Sequence, residues 1–219
     1  MIEQIPYDYT NKEHVKVICD LHKELLPESL LPKMGKFFMS KFYYAVMTKE
    51  GWLDGYLYKH NGKYIAFFTG TDVPFTFLQE ARKKYFWRIS FVTIVALLTK
   101  PSRIKYLTQK SRITSDTDSK VSGDLNALKD KYQSKIGEFV SFGVVKDYRR
   151  FEDEATKLKV PHLIMNQVFG HFREHNKICF IGVVMKSNIN AIKFYEKYNT
   201  SYEIVEGDPS ESFVMTYFT

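Results

Sequence analysis

The chain has 219 residues, of which 44% are hydrophobic and 16% are aromatic. This composition excludes a disordered protein, and the length suits one domain with a sizeable core. The formal net charge is +7, but the Lys and Arg residues are scattered. They cluster only at Arg82–Lys84 and Lys146–Arg150, without a nucleic-acid-binding motif, so we expect no nucleic-acid partner.

The two cysteines, Cys19 and Cys179, lie in apolar patterns and have no partner at metal-ligand spacing. They predict two buried, reduced thiols. No close grouping of His, Asp, Glu and Cys along the chain suggests a metal site. The first 14 residues lack the positive region and apolar core of a secretory signal. We therefore expect a cytoplasmic protein without a metal, and both a monomer and a homodimer remain open.

The first third of the chain predicts two helices and a β-hairpin. Apolar residues recur at helical spacing over His14–Leu26, with Asn11 ahead of them as a cap, and again over Met34–Val46. The inward residues of the second helix are expected to be Phe37, Phe38, Met39, Phe42, Tyr43 and Val46. Asn61-Gly62 then favours a tight turn between two strand-like segments. These segments are Leu53–Lys59 and Tyr64–Gly70.

The segment that follows is mainly helical in pattern. Phe75–Lys84 predicts a helix, and Trp87–Leu98 is strongly apolar. The latter is shorter than the roughly 20 residues that a transmembrane helix needs, so it predicts a buried or interfacial helix. Ile104–Ile113 is basic and amphipathic, and Thr114–Gly123 is small and polar, as a flexible loop would be.

The last third alternates between strands and helices. Ile136–Val145 is rich in β-prone residues, with Gly143 near its end, where a bulge or a close backbone approach is typical. Pro161–Arg173 predicts a helix with proline at its first position. Its inward stripe is expected to be Leu163, Ile164, Val168, Phe169 and Phe172. Ile178–Val184 predicts a buried strand. Two further strands are predicted at Tyr202–Glu206 and Ser212–Phe218.

Between these strands lies the most specific motif of the chain. Asn188 can cap a helix, and the apolar residues after it share one helix face. The pattern Asn188-x-x-Ala191-x-x-Phe194-Tyr195 resembles the C-terminal signature of the GCN5-related N-acetyltransferase (GNAT) family. The family continues to Gly-Phe, whereas this chain has Asn199, which tolerates the left-handed conformation at a helix end. The order of the predicted elements fits the same family.

The resemblance implies an α/β (α+β) fold in which a mixed, mostly antiparallel central sheet is flanked by helices. Residues 1–219 would form a single acyltransferase domain. Residues 73–126 exceed a minimal member of the family and would form a helical insertion before the coenzyme A-binding strand. This insertion would provide an acceptor pocket or a partner surface, or it would only enlarge the core as a helical cap.

The activity implied by the resemblance is transfer of an acetyl group from acetyl-CoA to the amine of a small molecule, such as an amino sugar. Transfer would be direct, within a ternary complex, and would need no metal. One alternative is a GNAT-derived binding module that has lost catalysis. Another is an acyltransferase with a carrier-protein or membrane-associated donor and weak membrane-surface contact, suggested by Trp87–Leu98 and the basic Arg82–Lys84.

The resemblance also assigns a donor site. The backbone of the strand ending at Val145 would pair with pantetheine and polarise the thioester carbonyl. Lys146–Arg150 resembles the approach to the pyrophosphate loop, but the usual Gly-x-Gly is replaced by Phe151–Thr156. Basic side chains and the start of the next helix would hold the phosphates instead. The assigned donor residues are Phe142, Gly143, Val144, Val145, Arg149, Arg150, Pro161, His162, Asn188 and Ala191.

Two residues are assigned to proton transfer. Tyr195 matches the family tyrosine that protonates the departing thiolate, and a core tyrosine is the alternative. Glu138 would be the general base, on the strand face predicted to hold Val140, Phe142 and Val144 as well. Asp72 is the second candidate for the base. For either carboxylate, a solvated surface group is the alternative.

Overall fold

The computed structural model describes residues 1–74, 76–103, 133–185, 188–198, 202–206 and 211–217. These residues contain a seven-stranded sheet in the order β1-β2-β3-β4-β5-β7-β6. The strands are β1 (Ile2–Pro6), β2 (Asp54–His60), β3 (Lys63–Thr71), β4 (Ile136–Val144), β5 (Cys179–Met185), β6 (Tyr202–Glu206) and β7 (Glu211–Tyr217). Every neighbouring pair is antiparallel except β4 and β5, which are parallel. The predicted mixed, mostly antiparallel sheet is confirmed.

Helices flank this sheet on both faces. They are α1 (Lys12–Leu25), α2 (Leu30–Met34), α3 (Lys36–Phe38), α4 (Tyr44–Lys49), α5 (Phe77–Thr99), α6 (Val160–Glu174) and α7 (Ile189–Tyr198). The predicted cap of α1 is confirmed, because the Asn11 side chain accepts the N–H groups of Glu13 and His14. None of the helices in the described part of the chain is long and apolar enough to cross a membrane.

The predicted hairpin is confirmed, and its turn has the expected conformation. Asn61 and Gly62 have φ values of 47° and 78°, the positive values that a tight two-residue turn between strands requires. The outer neighbour of this hairpin, β1, has no counterpart in the sequence predictions. Its five residues pair with β2 from Ile2↔His60 to Pro6↔Tyr56, so this strand exists because the hairpin offers an edge.

The predicted helix over Met34–Val46 is interrupted. Gly35, with φ of 96°, separates α2 from α3, and Met39–Tyr43 forms a π-helical segment between α3 and α4. Because the π segment changes the helical period, one inward prediction is wrong: Phe37 is exposed. The other predicted inward side chains are buried or half-buried.

The helical segment before β4 is one long helix, α5, with non-helical backbone angles at Tyr85. Val92 and Ala96 are buried, whereas Trp87 is 83% exposed and Leu98 is also exposed. The apolar Trp87–Leu98 segment is therefore only partly covered. The predictions for Ile104–Ile113 and Thr114–Gly123 lie outside the described residues.

Two hydrophobic cores lie on the two faces of the sheet. The α6 face holds side chains of β3, β4 and β5 against α6 and α7, including Phe68, Phe139 and Phe172. The α1 face holds α1, α4 and part of α5 against Leu57 and Phe67. Burying these apolar surfaces is the main stabilising contribution to the fold.

One histidine is fully enclosed in the α1 face. His22 is 1% exposed, its Nδ1 lies 2.5 Å from the Tyr44 hydroxyl oxygen, and its Nε2 lies 2.9 Å from Ser29 Oγ. The ring also stacks on Phe67, with the centroids 5.4 Å apart. Burial lowers the pKa of His22 from 6.5 to about 4, because a charged ring would lose its hydration there. The ring is therefore neutral at neutral pH.

We expect His22 to make the protein acid-sensitive. In the unfolded chain it takes up a proton below its ordinary pKa, whereas in the folded protein it stays neutral until about pH 4, so acid favours unfolding. The free energy of unfolding should fall by about 2 kcal/mol between pH 7 and pH 5 through this residue. Urea unfolding at the two pH values measures this loss.

His22→Gln should remove that part of the pH dependence, at some loss of stability at pH 7. His14→Gln, also on α1 but only half-buried beside the Tyr64 ring, is the matched control and should keep the wild-type dependence. Equal pH dependence of wild type and His22→Gln would contradict the assignment.

Candidate active site

The central feature of the sheet is a fork between β4 and β5. The two strands pair only from Ile136↔Cys179 to Phe139↔Gly182. Beyond this point the two strands do not pair among the described residues, although β4 continues to Val144. Among these residues nothing else pairs with the β5-facing edge of β4 over its second half, so its backbone groups there can pair with an extended ligand.

A β-bulge accounts for the fork. On β3, Thr69 pairs with Ser141 and the next residue, Gly70, pairs with Phe139, so Val140 has no partner. An extra residue in one strand bends that strand and increases its twist. β4 therefore turns away from β5 directly after Phe139.

The bulge also corrects a prediction. Glu138, Val140, Phe142 and Val144 were expected to share one face of the strand, and this is wrong. Phe142 and Val144 pack in the α6 face together with Phe139, whereas Val140 packs in the α1 face. The extra residue shifts the alternation of side chains by one position. Gly143 is not the bulge: a Cβ there would lie 2.8 Å from Leu25 Cδ1, so this glycine allows α1 to approach.

Tyr195 of α7 lies at the point where the strands separate. A Cβ built on Gly182, the last β5 residue paired with β4, would be 3.8 Å from the Tyr195 hydroxyl oxygen and 3.9 Å from the Phe139 carbonyl. The tyrosine ring meets the Phe139 ring edge-on, at 6.3 Å between centroids. The side chain is 7% exposed, and burial raises its pKa above the ordinary value. An ordinary phenol is already protonated at neutral pH, and burial makes this one a weaker acid, so it holds its proton until a strong base such as a leaving thiolate lies beside it.

Glu138 lies on the other side of β4. It belongs to the first, parallel-paired half of the strand, opposite Ile181, and it faces Tyr43 of the α1 face. The pKa of Tyr43 is raised, mainly by burial and in part by the charge of Glu138. Tyr195 packs on the α6 face, so these two predicted groups flank the fork from opposite faces of the sheet. Their catalytic roles stay predictions.

Asp72, the second candidate for the base, is engaged elsewhere. Its carboxylate is bonded to His175, the residue that directly follows α6, and its backbone carbonyl accepts from Lys177 Nζ at 2.9 Å. The structure brings it together with the histidines at the end of α6, which makes Glu138 the better placed of the two carboxylates.

The predicted phosphate end lies where β4 ends and α6 begins. Arg149 is exposed and its Nε donates to the Val144 carbonyl at 3.0 Å, so its guanidinium covers the end of β4. Arg150 is exposed as well. At the start of α6, the His162 ring lies 5.4 Å from the Phe194 ring of α7. Arg149 and His162 therefore approach the open half of the fork from two elements.

The backbone amides at the start of α6 already have partners. The Val160 N–H donates to the Phe151 carbonyl at 3.0 Å, and those of His162 and Leu163 both donate to the Lys159 carbonyl at 2.9 Å. Pro161 has no N–H to offer. This helix start therefore differs from a glycine-rich cradle, in which amides point at the phosphates.

The loop between Arg150 and α6 is closed on itself and attached to β1. Asp153 is 2% exposed, and its carboxylate accepts the Ile2 N–H at 2.8 Å and the Thr156 N–H at 3.0 Å. Although burial raises the pKa of Asp153, these hydrogen bonds hold it below the ordinary value. Of the three carboxylates in this loop, only Glu152 and Glu154 face solvent. This glycine-free loop is thus ordered and hydrogen-bonded to the edge strand β1.

The signature motif forms its predicted local structure. The Asn188 side chain accepts the Ala191 N–H at 3.2 Å, which confirms the cap of α7. Ala191 is half-buried against the core of the α6 face, and Asn188 is exposed. Their contact with a coenzyme stays a prediction.

Sequence reasoning missed one group of side chains. Asp54, His171 and His175 each offer a metal-ligand atom, and these atoms lie within 4.8 Å of one another. The signal in the sequence was His-x-x-x-His, which places both rings on one side of a helix. Asp54 is distant from both histidines along the chain. It approaches them only in the folded sheet, where it begins β2 and pairs with Gly70 of β3.

Comparison with known proteins identifies the fold. No family model and no curated protein sequence matches the chain. Among solved structures, the PaiA N-acetyltransferase of Thermoplasma acidophilum in complex with coenzyme A is similar at 8% identity and a TM-score of 0.54, over 100% of this chain and 99% of that one. The N-acetyltransferase PseH of Campylobacter jejuni with acetyl coenzyme A is similar at 11% identity and 0.51, over 100% of both chains.

A third similar structure is the aminoglycoside acetyltransferase AAC(6')-Ib with coenzyme A and kanamycin, at 8% identity and a TM-score of 0.52, over 99% of this chain and 95% of that one. The chain therefore has the fold of GNAT N-acetyltransferases, as the signature motif predicted. Fold similarity at these identities leaves activity to be argued from the site.

Proposed function

We propose that this protein is an acyl-CoA-dependent N-acetyltransferase that acetylates the amine of a small molecule, such as an amino sugar. The observation that carries the proposal is the fork between β4 and β5 with the Tyr195 hydroxyl at its apex. An open strand edge suits the amide-containing pantetheine arm. A protonated phenol beside the apex suits a leaving thiolate.

In the proposed reaction, the acceptor nitrogen attacks the thioester carbonyl carbon, and the carbon–sulfur bond breaks. Glu138 takes a proton from the amine through water, and Tyr195 gives its phenolic proton to the departing sulfur. Solvent then returns the proton from Glu138 to Tyr195, so the products are the amide and the coenzyme thiol. Free N–H groups on the β4 edge would stabilise the charge that develops on the carbonyl oxygen.

The phosphates would be held by side chains more than by backbone amides. Arg149 and Arg150 are exposed at the end of β4, and Lys159 is exposed just before α6. Arginine matches phosphate oxygens in a two-pronged geometry. We infer that these basic groups compensate for the missing glycines, since the amides of the α6 start are bonded within the loop.

The first test is calorimetric titration of the protein with acetyl-CoA and with free coenzyme A. We expect micromolar binding of both, and about tenfold weaker binding by Arg149→Ala, because one charge-assisted phosphate contact contributes on this scale. Arg82→Ala, which removes the same charge from the exposed side of α5, is the matched control and should bind like wild type.

Absence of binding at millimolar ligand would contradict the proposal and favour the binding-module alternative. If Arg149→Ala and Arg82→Ala weakened coenzyme A binding equally, the binding would depend only on the net charge of the protein, and Arg149 would have no specific role at the phosphates. Micromolar binding that depends on Arg149 would justify a screen of amine acceptors.

A further inference from the structure

A cluster of four polar side chains lies on the α6 face, away from the open half of the fork. It comprises Asp54 at the start of β2, Asp72 just after β3, His171 in the last turn of α6, and His175 directly after that helix; we call it the His–Asp cluster. The start of α6, which faces the phosphate end, lies at the opposite end of the same helix. Acetyl transfer as proposed uses none of the four residues.

The geometry of the cluster is close to that of a metal site. The rings of His171 and His175 are one helical turn apart, with centroids separated by 4.3 Å. One ligand atom from each ring and one from Asp54 lie within 4.8 Å of one another. Ligand atoms around a tetrahedral zinc ion are about 3.3 Å apart, given bonds of about 2.0–2.1 Å. Small side-chain rotations would bring the three atoms to that separation.

Each histidine is also oriented by a second group. The Tyr56 hydroxyl lies 3.2 Å from His171 Nδ1, and the Asp72 carboxylate is bonded to His175 Nδ1. Within the described structure both of these hydrogen bonds are at Nδ1, so a metal ion would be bound by Nε2 of each ring. A carboxylate or hydroxyl behind a metal-binding imidazole fixes the ring and raises its basicity.

The electrostatics of the cluster suit a cation. Asp54 is half-buried and His171 is 6% exposed, so water hydrates the carboxylate poorly. The carboxylate of Asp72 has one buried oxygen, Oδ1, without a hydrogen-bond partner in the described structure. A divalent cation would balance the carboxylate charge and needs the neutral form of imidazole.

We propose that His171, His175 and Asp54 bind one divalent transition-metal ion, of which Zn²⁺ is the best match, and that Asp72 orients His175. Two imidazoles and one carboxylate favour zinc and its neighbours over Mg²⁺ or Ca²⁺, which prefer oxygen ligands. The ion joins the end of α6 to β2 and thereby stabilises the packing of that helix on the sheet. His175 is exposed, so the site is open to solvent and leaves a coordination position for water.

The test uses full-length protein without a polyhistidine tag, freed of metal by chelation and titrated with Zn²⁺ and Co²⁺. We expect one ion per chain, a higher unfolding temperature with Zn²⁺, and the visible absorption of tetrahedral Co²⁺. His175→Gln should weaken binding by about 100-fold and Asp72→Asn by about tenfold. His14→Gln, on α1, is the matched control and should bind normally.

His175 is the decisive position because it is exposed, whereas a change at buried His171 could also disturb folding. Circular dichroism of metal-free His175→Gln should match that of metal-free wild type. The proposal is overturned if wild type binds no Zn²⁺ at micromolar concentration, or if His175→Gln binds as tightly as His14→Gln. Coenzyme A binding by the same variants should be unchanged, which keeps this test separate from the proposed acetyl transfer.

Discussion

Replacing Tyr195 by Phe is expected to lower kcat for acetyl transfer by about 100-fold, with little change in the affinity for coenzyme A. The substitution removes only the hydroxyl group, which lies beside Gly182 at the apex of the fork. If that hydroxyl protonates the leaving thiolate, its loss raises the barrier of the chemical step without altering the donor groove. Steady-state kinetics with an accepted amine, combined with calorimetry for coenzyme A, separates the two effects.

Tyr58→Phe is a suitable control, because Tyr58 is another fully buried tyrosine of the α6 face. Its hydroxyl has no hydrogen-bond partner within the described structure, so its removal should leave kcat unchanged and should not destabilise the protein. If Tyr195→Phe kept the wild-type kcat, another group would have to protonate the leaving thiolate, and Tyr195 would be only a core residue.

Gly137→Ala is expected to reduce the free energy of unfolding by about 2 kcal/mol, through overpacking of the core. A Cβ at this position would lie 2.4 Å and 2.6 Å from two ring carbons of Phe172. That ring is fully buried and packs against Phe68 and Phe180, so it has little space to move. Denaturant unfolding at neutral pH measures the loss.

Gly170→Ala, in the same helix as Phe172, provides the opposite case. A Cβ there would meet nothing within 4 Å, and alanine is favoured over glycine in a helix by about 1 kcal/mol. We therefore expect this variant to be more stable than wild type. If Gly137→Ala left the free energy of unfolding unchanged, α6 would have to be able to shift away from β4 at no energetic cost.

Several features of this protein could be predicted from the sequence because they depend on neighbours along the chain. The Asn-Gly turn needs only two residues that tolerate positive φ. The cap of α7 needs only an Asn three positions before Ala191, and the apolar periods of α1 and α6 need only regular spacing. The signature motif belongs to this class, since Ala191 and Tyr195 lie on one short helix and Asn188 caps it.

Other features were decided by tertiary structure. The bulge at Val140 is a mismatch between β4 and β3, so nothing near Val140 in the sequence marks it, yet it decides which side chains face the α6 core. β1 likewise exists only because the β2–β3 hairpin offers an edge. The loop before α6 is ordered because Asp153 binds the Ile2 N–H, 151 positions away.

The candidate sites divide in the same way. The sequence alone determined that Tyr195 lies on an apolar face of a capped helix, and that basic residues follow β4. Only the assembled sheet brought the Tyr195 hydroxyl to the apex of the fork, separated Glu138 from Phe142 by the bulge, and joined Asp54 to His171 and His175. Short-range patterns report backbone conformation, whereas a site needs side chains from distant segments, and their meeting depends on how whole elements pack.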